Sequence, residues 1–126
     1  MDAFDLIVIG SGPPAQVAIP KVRAAGWSVA VIDHLPFGGA CALRGCDPKK
    51  MLVSGEEAIN AAHRMGGHGV HGALSIDWQE QMAFKRTFID PIPAKQEDRY
   101  ADLGSTLSTG LPASRTPRRS RSRAAG

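Results

Sequence analysis

The stretch Phe4-Asp5-Leu6-Ile7-Val8-Ile9-Gly10-Ser11-Gly12-Pro13-Pro14-Ala15 decides the fold. Its first half is a short apolar run rich in β-branched residues, the pattern of a strand buried in a parallel sheet. Its second half is a glycine turn of the form G-x-G-x-x-A. Ala15, Ala18, Ile19, Val22 and Ala25 then recur near helical spacing, and Gly26 suits a helix stop. Ser28-Val29-Ala30-Val31-Ile32 reads as a second buried strand closed by Asp33. Strand, helix and parallel strand in about 30 residues make a βαβ unit, so the fold class is α/β.

Each residue of the turn has a physical task if the unit holds a dinucleotide. Gly10 permits the tight turn, Gly12 lets backbone approach a pyrophosphate, and Ala15 lets helix and strand pack closely. Pro13 opens the helix, whose N-terminus offers unpaired N–H groups and partial positive charge to phosphates. Asp33 follows Gly12 by 21 residues, where a carboxylate can accept hydrogen bonds from ribose hydroxyls. Pro14 is tolerated in a first helical turn. Pro20 is not so easily placed: it removes a backbone hydrogen bond and meets the carbonyl of Gln16, at a cost of ~3 kcal/mol. The expectation is a kinked helix or an impaired site. The turn alone also fits any α/β domain.

The two cysteines stand in Gly38-Gly39-Ala40-Cys41-Ala42-Leu43-Arg44-Gly45-Cys46-Asp47-Pro48-Lys49-Lys50. Residues five apart in a regular helix have Cα atoms ~8–9 Å apart, and a disulfide needs less than about 7 Å. Pairing therefore requires a distorted first turn, for which Gly45 gives the backbone freedom. A strained pair near a helix N-terminus would be easily reduced, with its thiolates stabilised there. The residues leave three readings open: a redox dithiol, two inert thiols, or half a zinc site completed by His34, His63, His68 or His71.

A turn-rich segment, 34–40, leads into an expected helix over 42–65. Four glycines and two histidines mark 66–72 as a loop. Asp77-Trp78-Gln79-Glu80 resembles a capping box opening a helix to about Ile89, which Pro91 and Pro93 break. A last helix is expected over 94–103, ending at Gly104. Aromatics are only 6% of the 126 residues, which predicts an aliphatic core. No apolar run reaches the roughly 18 residues of a membrane span, and Asp2 and Asp5 do not suit a secretion signal. The chain reads as cytoplasmic, where a cysteine pair points to catalysis or metal rather than to a staple.

The net charge of +3 is unevenly spread. Residues 1–104 hold ten basic and twelve acidic side chains, whereas the last 22 residues hold five arginines and no acid. A nucleic-acid partner would rest on that tail alone, through non-specific and salt-sensitive contacts.

Taken together, the GxGPxA turn, the strand ending in an acid and the GGxCxLxGCxPKK motif resemble the pyridine nucleotide-disulfide oxidoreductases. This family includes glutathione reductase, dihydrolipoamide dehydrogenase and mercuric reductase. Met82-Ala83-Phe84-Lys85-Arg86-Thr87-Phe88 and Asp90-Pro91-Ile92-Pro93 look most like its bacterial glutathione reductase-like members. The resemblance covers about residues 4–104. It implies a Rossmann-like FAD-binding domain, with Gly10, Gly12, Pro13 and Ala15 at the pyrophosphate and Asp33 at the adenosine ribose. Gly39 and Ala40 would lie along the cofactor. Cys41 would attack a small-molecule disulfide substrate, and Cys46 would face the flavin. Lys50, or Lys49, would lie beside the isoalloxazine. Electrons would run from NAD(P)H through FAD and the dithiol to substrate, in a homodimer.

The sequence also departs from that family. Ala40 stands where a threonine is usual, Pro14 where an alanine is usual, and Pro20 interrupts a continuous helix. The chain is about a quarter of the family's usual length. The expectation is a partial, truncated domain over 1–104, inactive alone, with 105–126 a disordered Arg/Ser/Pro-rich tail whose composition resembles out-of-frame coding. With two strands, both sheet edges would be open, giving weak FAD binding and poor solubility. The alternative is a non-catalytic remnant or a redox-sensing binding module.

Overall fold

The computed structural model describes residues 3–112. Strand β1 (Leu6–Ile9) runs into helix α1 (Pro13–Ala24) and strand β2 (Val29–Asp33). Helices α2 (Gly39–Arg44), α3 (Cys46–Arg64), α4 (Trp78–Ile89) and α5 (Ile92–Asp102) follow, then strand β3 (Thr106–Thr109). The three strands form one parallel sheet in the order β1-β2-β3. Val8, Val31 and Leu107 share one register row, with Leu6 and Val29 paired in another.

The core lies on the face of the sheet that carries those rows. Ala15, Ile19, Val29, Val31, Phe37 and Tyr100 are buried together, flanked by Leu6, Val8, Val22, Leu103 and Leu107. The expectation of a purely aliphatic core is therefore corrected. Tyr100 and Phe37 are the largest fully buried side chains, set edge to face with centroids 6.3 Å apart. Few aromatics do not mean exposed aromatics, because each ring buries a large area.

Two strand expectations also change. β1 is an edge strand among the described residues, and its other face leaves Ile7 55% and Ile9 69% exposed. The boundary at 104 is too early. Thr106–Thr109 pairs with Ala30–Asp33, so ordered structure continues into the segment read as a disordered tail. Residues 113–126, the rest of that tail, lie outside the described residues. Among the described residues the sheet thus has three strands where two were expected.

α1 runs through Pro20 without a break in the helix. It begins with two prolines, which fits the first turn, where N–H groups have no helical partner. Arg23 joins α1 to α5: its Nε donates to the Leu103 carbonyl at 2.6 Å and its Nη1 to that of Trp27 at 2.6 Å. A guanidinium at a helix C-terminus answers both unpaired carbonyls and the negative end of the dipole.

The helix expected over 42–65 is two helices. They meet at Gly45, whose φ and ψ are −128° and −109°. A Cβ at Gly45 would lie 3.0 Å from the Ala40 carbonyl oxygen and 3.2 Å from Cys41 Cα, so a larger residue would need the backbone of α2 to give by a few tenths of an ångström. α3 pairs with α4, and Gln81 Nε2 donates to the Leu52 carbonyl at 2.6 Å. Asp77 caps α4, accepting from the Glu80 amide at 2.9 Å, as its sequence predicts. Pro91 and Pro93 do not merely end α4; Pro91 is the N-cap of α5 and Pro93 lies in its first turn, so α5 starts earlier than periodicity suggested.

Candidate functional site

The glycine turn, the end of β2 and the start of α2 meet at one place. Gly10 takes φ +96°, and its amide donates to the Ile32 carbonyl at 2.7 Å, closing the turn onto β2. Gly12 is the N-cap of α1 and supplies no side chain to its orphan amides. Pro13 and Pro14 are exposed and have no N–H, so Ala15 carries the one amide of the first three helical positions. Ala15 itself is buried in the core, 4% exposed. An anion at this helix end keeps the dipole but loses part of the donor set.

α2 starts directly over this turn. Gly39 has φ +77°, and a Cβ there would collide with Gly12 Cα and lie 3.0 Å from Gly12 N. Both glycines of the Gly38-Gly39 pair are thus needed for packing, since a Cβ on Gly38 would meet Ile92 Cγ2 at 2.8 Å. Ala40 is exposed.

Asp33 is only 8% exposed and is turned inward. Its Oδ2 accepts from the Ser11 amide at 2.9 Å and the Ser11 hydroxyl at 2.6 Å. Its Oδ1 accepts from the Leu35 amide at 3.1 Å. A carboxylate has about four lone-pair sites, so Oδ1 keeps one for a further donor. Burial pushes the Asp33 pKa up. The Ser11 hydroxyl, the Leu35 and Ser11 amides and His34 together outweigh it and leave the carboxyl below its ordinary value of 3.8.

The sign of the pH effect follows. A lowered folded value means stability that is complete above pH 3.8 and is lost as pH falls through the lower folded value. Urea unfolding of the wild type and Asp33→Asn at descending pH should show a constant gap above that window and a closing gap inside it. A gap that persists through the acid range would show that the charge of Asp33 contributes nothing.

Cys41 lies in α2 and is partly buried; Cys46 is the first residue of α3 and is exposed. Both are free thiols. The Cys41 pKa is raised, first by its side-chain hydrogen bond with Cys46, with a smaller backbone contribution at Cys46 pulling the other way. Desolvation and the charges of Cys46 and Asp47 add to the rise. The expectation of a stabilised thiolate is therefore reversed at Cys41. It sits inside a six-residue helix, beside a like group and an acid, rather than at the N-terminus of the long helix. Lys49 and Lys50 are exposed on α3. Among the described residues no three His, Cys, Asp or Glu side chains are grouped to hold a metal. None of the described helices is long and apolar enough to cross a membrane.

Ser11 and Tyr100 are the site residues that sequence reasoning missed. Ser11 is fully buried; its hydroxyl accepts from the Gly38 amide at 2.8 Å and its carbonyl from Tyr100 Oη at 3.2 Å. Their partners are 22 to 89 residues away, so no local pattern announces them.

No protein-family model matches the chain. Among curated proteins it is similar to the dihydrolipoyl dehydrogenase of Chlamydia muridarum, at 35% identity over 92 residues, 72% of this chain and 20% of the relative. It is similar to the dihydrolipoyl dehydrogenase of Cupriavidus necator at 36% identity, over 85% of this chain and 25% of the relative. It is also similar to the glutathione reductase of Burkholderia cepacia at 36% identity, over 65% of this chain and 18% of the relative. The chain thus spans about a fifth to a quarter of the length of these relatives. The chain belongs to the class I pyridine nucleotide-disulfide oxidoreductases.

Proposed function

We propose that residues 4–109 form the flavin-binding and dithiol-bearing part of an NAD(P)H-dependent reductase of small-molecule disulfides. The observation that carries the reading is the contact of Gly39 with Gly12. It sets the helix bearing Cys41 over the turn suited to a dinucleotide, which supports one extended cofactor reaching from the turn to the dithiol.

The positive φ of Gly10, the N-cap place of Gly12 and the α1 dipole support FAD as the cofactor, with a reduced set of phosphate donors. Gly10 and Gly12 would admit the pyrophosphate, the Ala15 amide and the α1 dipole would hold it, and Asp33 Oδ1 would accept one ribose hydroxyl. Lys49 and Lys50 would lie toward the flavin ring. Bound there, FAD supplies the two-electron link between a nicotinamide donor and the cysteines. The chain's own step is thiol exchange. The Cys41 thiolate attacks one sulfur of a substrate disulfide, and the other sulfur leaves and takes a proton. Cys46 then displaces the second substrate thiol and closes the Cys41–Cys46 disulfide. Substrate gains two electrons and two protons, and the pair loses them.

In the relatives' setting this part would work within a homodimer, in the cytoplasm, and alone it would not turn over. Pro13, Pro14 and Ala40 remove phosphate donors, which favours weak flavin binding and makes a flavin-free redox-sensing dithiol the second reading. Visible absorption after incubation with FAD and desalting tests the first reading. A retained flavin band, with the two thiols oxidised and reduced together, supports it. No flavin with a reversible thiol pair selects the sensor. Steady NAD(P)H-dependent disulfide reduction by the chain would refute inactivity.

A further inference from the structure

Ser11 occupies the variable position between two turn glycines, yet four hydrogen bonds converge on it. Its amide and hydroxyl donate to Asp33 Oδ2, its hydroxyl accepts from the Gly38 amide, and its carbonyl accepts from Tyr100 Oη. Three segments are thereby tied to the turn through one residue: the end of β2, the entry to α2, and α5.

The entry to α2 has the most to lose. α2 is six residues long, buries none of them, and has no side-chain cap. Its place is set at its N-terminal end, by buried Phe37, by the contact of Gly39 with Gly12, and by the Gly38–Ser11 bond. Cys41 is its third residue. Cys46 belongs instead to α3, which buries Pro48 and packs along α4. α2 also packs against α3, so the hold at the N-terminal end of α2 bears on how it meets the helix that carries Cys46.

We propose that Ser11 is a positioning residue for the dithiol: its hydroxyl, oriented by Asp33, holds α2 through the Gly38 amide and so sets Cys41 against Cys46. A hydroxyl suits this place because it donates and accepts at once. Alanine would leave the buried Gly38 amide without its partner and Asp33 Oδ2 one donor short. The inference rests on the reading of Cys41 and Cys46 as a redox pair.

The test equilibrates the full chain with glutathione and glutathione disulfide, at a temperature where circular dichroism shows every variant folded. Two chain thiols and one glutathione disulfide give the intramolecular disulfide and two glutathione molecules, and alkylation reads the balance. Ser11→Ala should lower this equilibrium constant about three- to tenfold, the range that the net worth of one hydrogen bond allows. Tyr100→Phe loosens the same residue at its carbonyl and spares the hydroxyl bridge, so it should lower melting temperature without moving the constant. An unchanged constant in Ser11→Ala overturns the proposal, as does an equal shift in Tyr100→Phe. A wild-type chain that forms no intramolecular disulfide overturns both this inference and the reading beneath it. Should Ser11→Ala not fold, hydrogen exchange on the wild type decides. A Gly38 amide far slower than that of loop residue Gly67 supports the bridge, and one equally fast overturns it.

Discussion

Replacing Gly39 by alanine is expected to cost about 2–5 kcal/mol, enough at its upper end to unfold a marginal domain. Two independent effects add. At φ +77° a side chain is strained by about 1–2 kcal/mol. The new methyl also collides with the backbone of Gly12, which has no flexible end to swing away. Separating two backbones that already touch costs about 1–3 kcal/mol more. Gly12→Ala is the informative contrast. Gly12 has φ −75°, and a Cβ there meets Gly39 Cα at 3.6 Å, an ordinary contact. It should cost under about 1 kcal/mol of stability. If a pyrophosphate approaches Gly12, the same substitution removes flavin retention from a chain that still folds. Urea unfolding of the two variants, followed by flavin retention in Gly12→Ala, separates packing from binding. Equal destabilisation by both would show that the approach of Gly39 to Gly12 is not what the pair of glycines serves.

That contrast shows where the sequence is transparent. The βαβ unit is legible because strand and helix announce themselves through local periods, and because Gly10 must turn the chain between them. The break at Gly45 was legible only as a condition for pairing Cys41 with Cys46, and periodicity alone ran one helix through it. The cap at Asp77 is local chemistry. β3 is different. Thr106-Leu107-Ser108-Thr109 is polar and short, and only pairing with Ala30–Asp33 makes it a strand. Composition pointed to a tail, and tertiary context prevailed. Asp33 shows a related gap. Its place at the end of β2 is written in the chain, but its two oxygens are largely engaged by Ser11 and Leu35, which only the fold brings together.

Tyr100 carries the second large expected effect. It is the chain's one tyrosine and is fully buried, so Tyr100→Ala should destabilise by about 3–5 kcal/mol, in the range for deleting a buried ring. The loss combines the ring's edge-to-face packing on Phe37 with a void beneath the glycine turn. Tyr100→Phe keeps the ring and loses the hydroxyl that donates to the Ser11 carbonyl, for about 1 kcal/mol. Burial pushes the phenol's pKa up, against weaker opposing effects of Arg99 and Gln96, so at neutral pH it remains a donor. The difference between the two variants therefore measures packing, and the Phe variant alone measures the link from α5 to the turn. Thermal and urea unfolding of both variants give the two numbers. If Tyr100→Phe costs as much as Tyr100→Ala, the hydroxyl rather than the ring secures α5. The glycine turn would then depend on a single bond reaching it from 89 residues away.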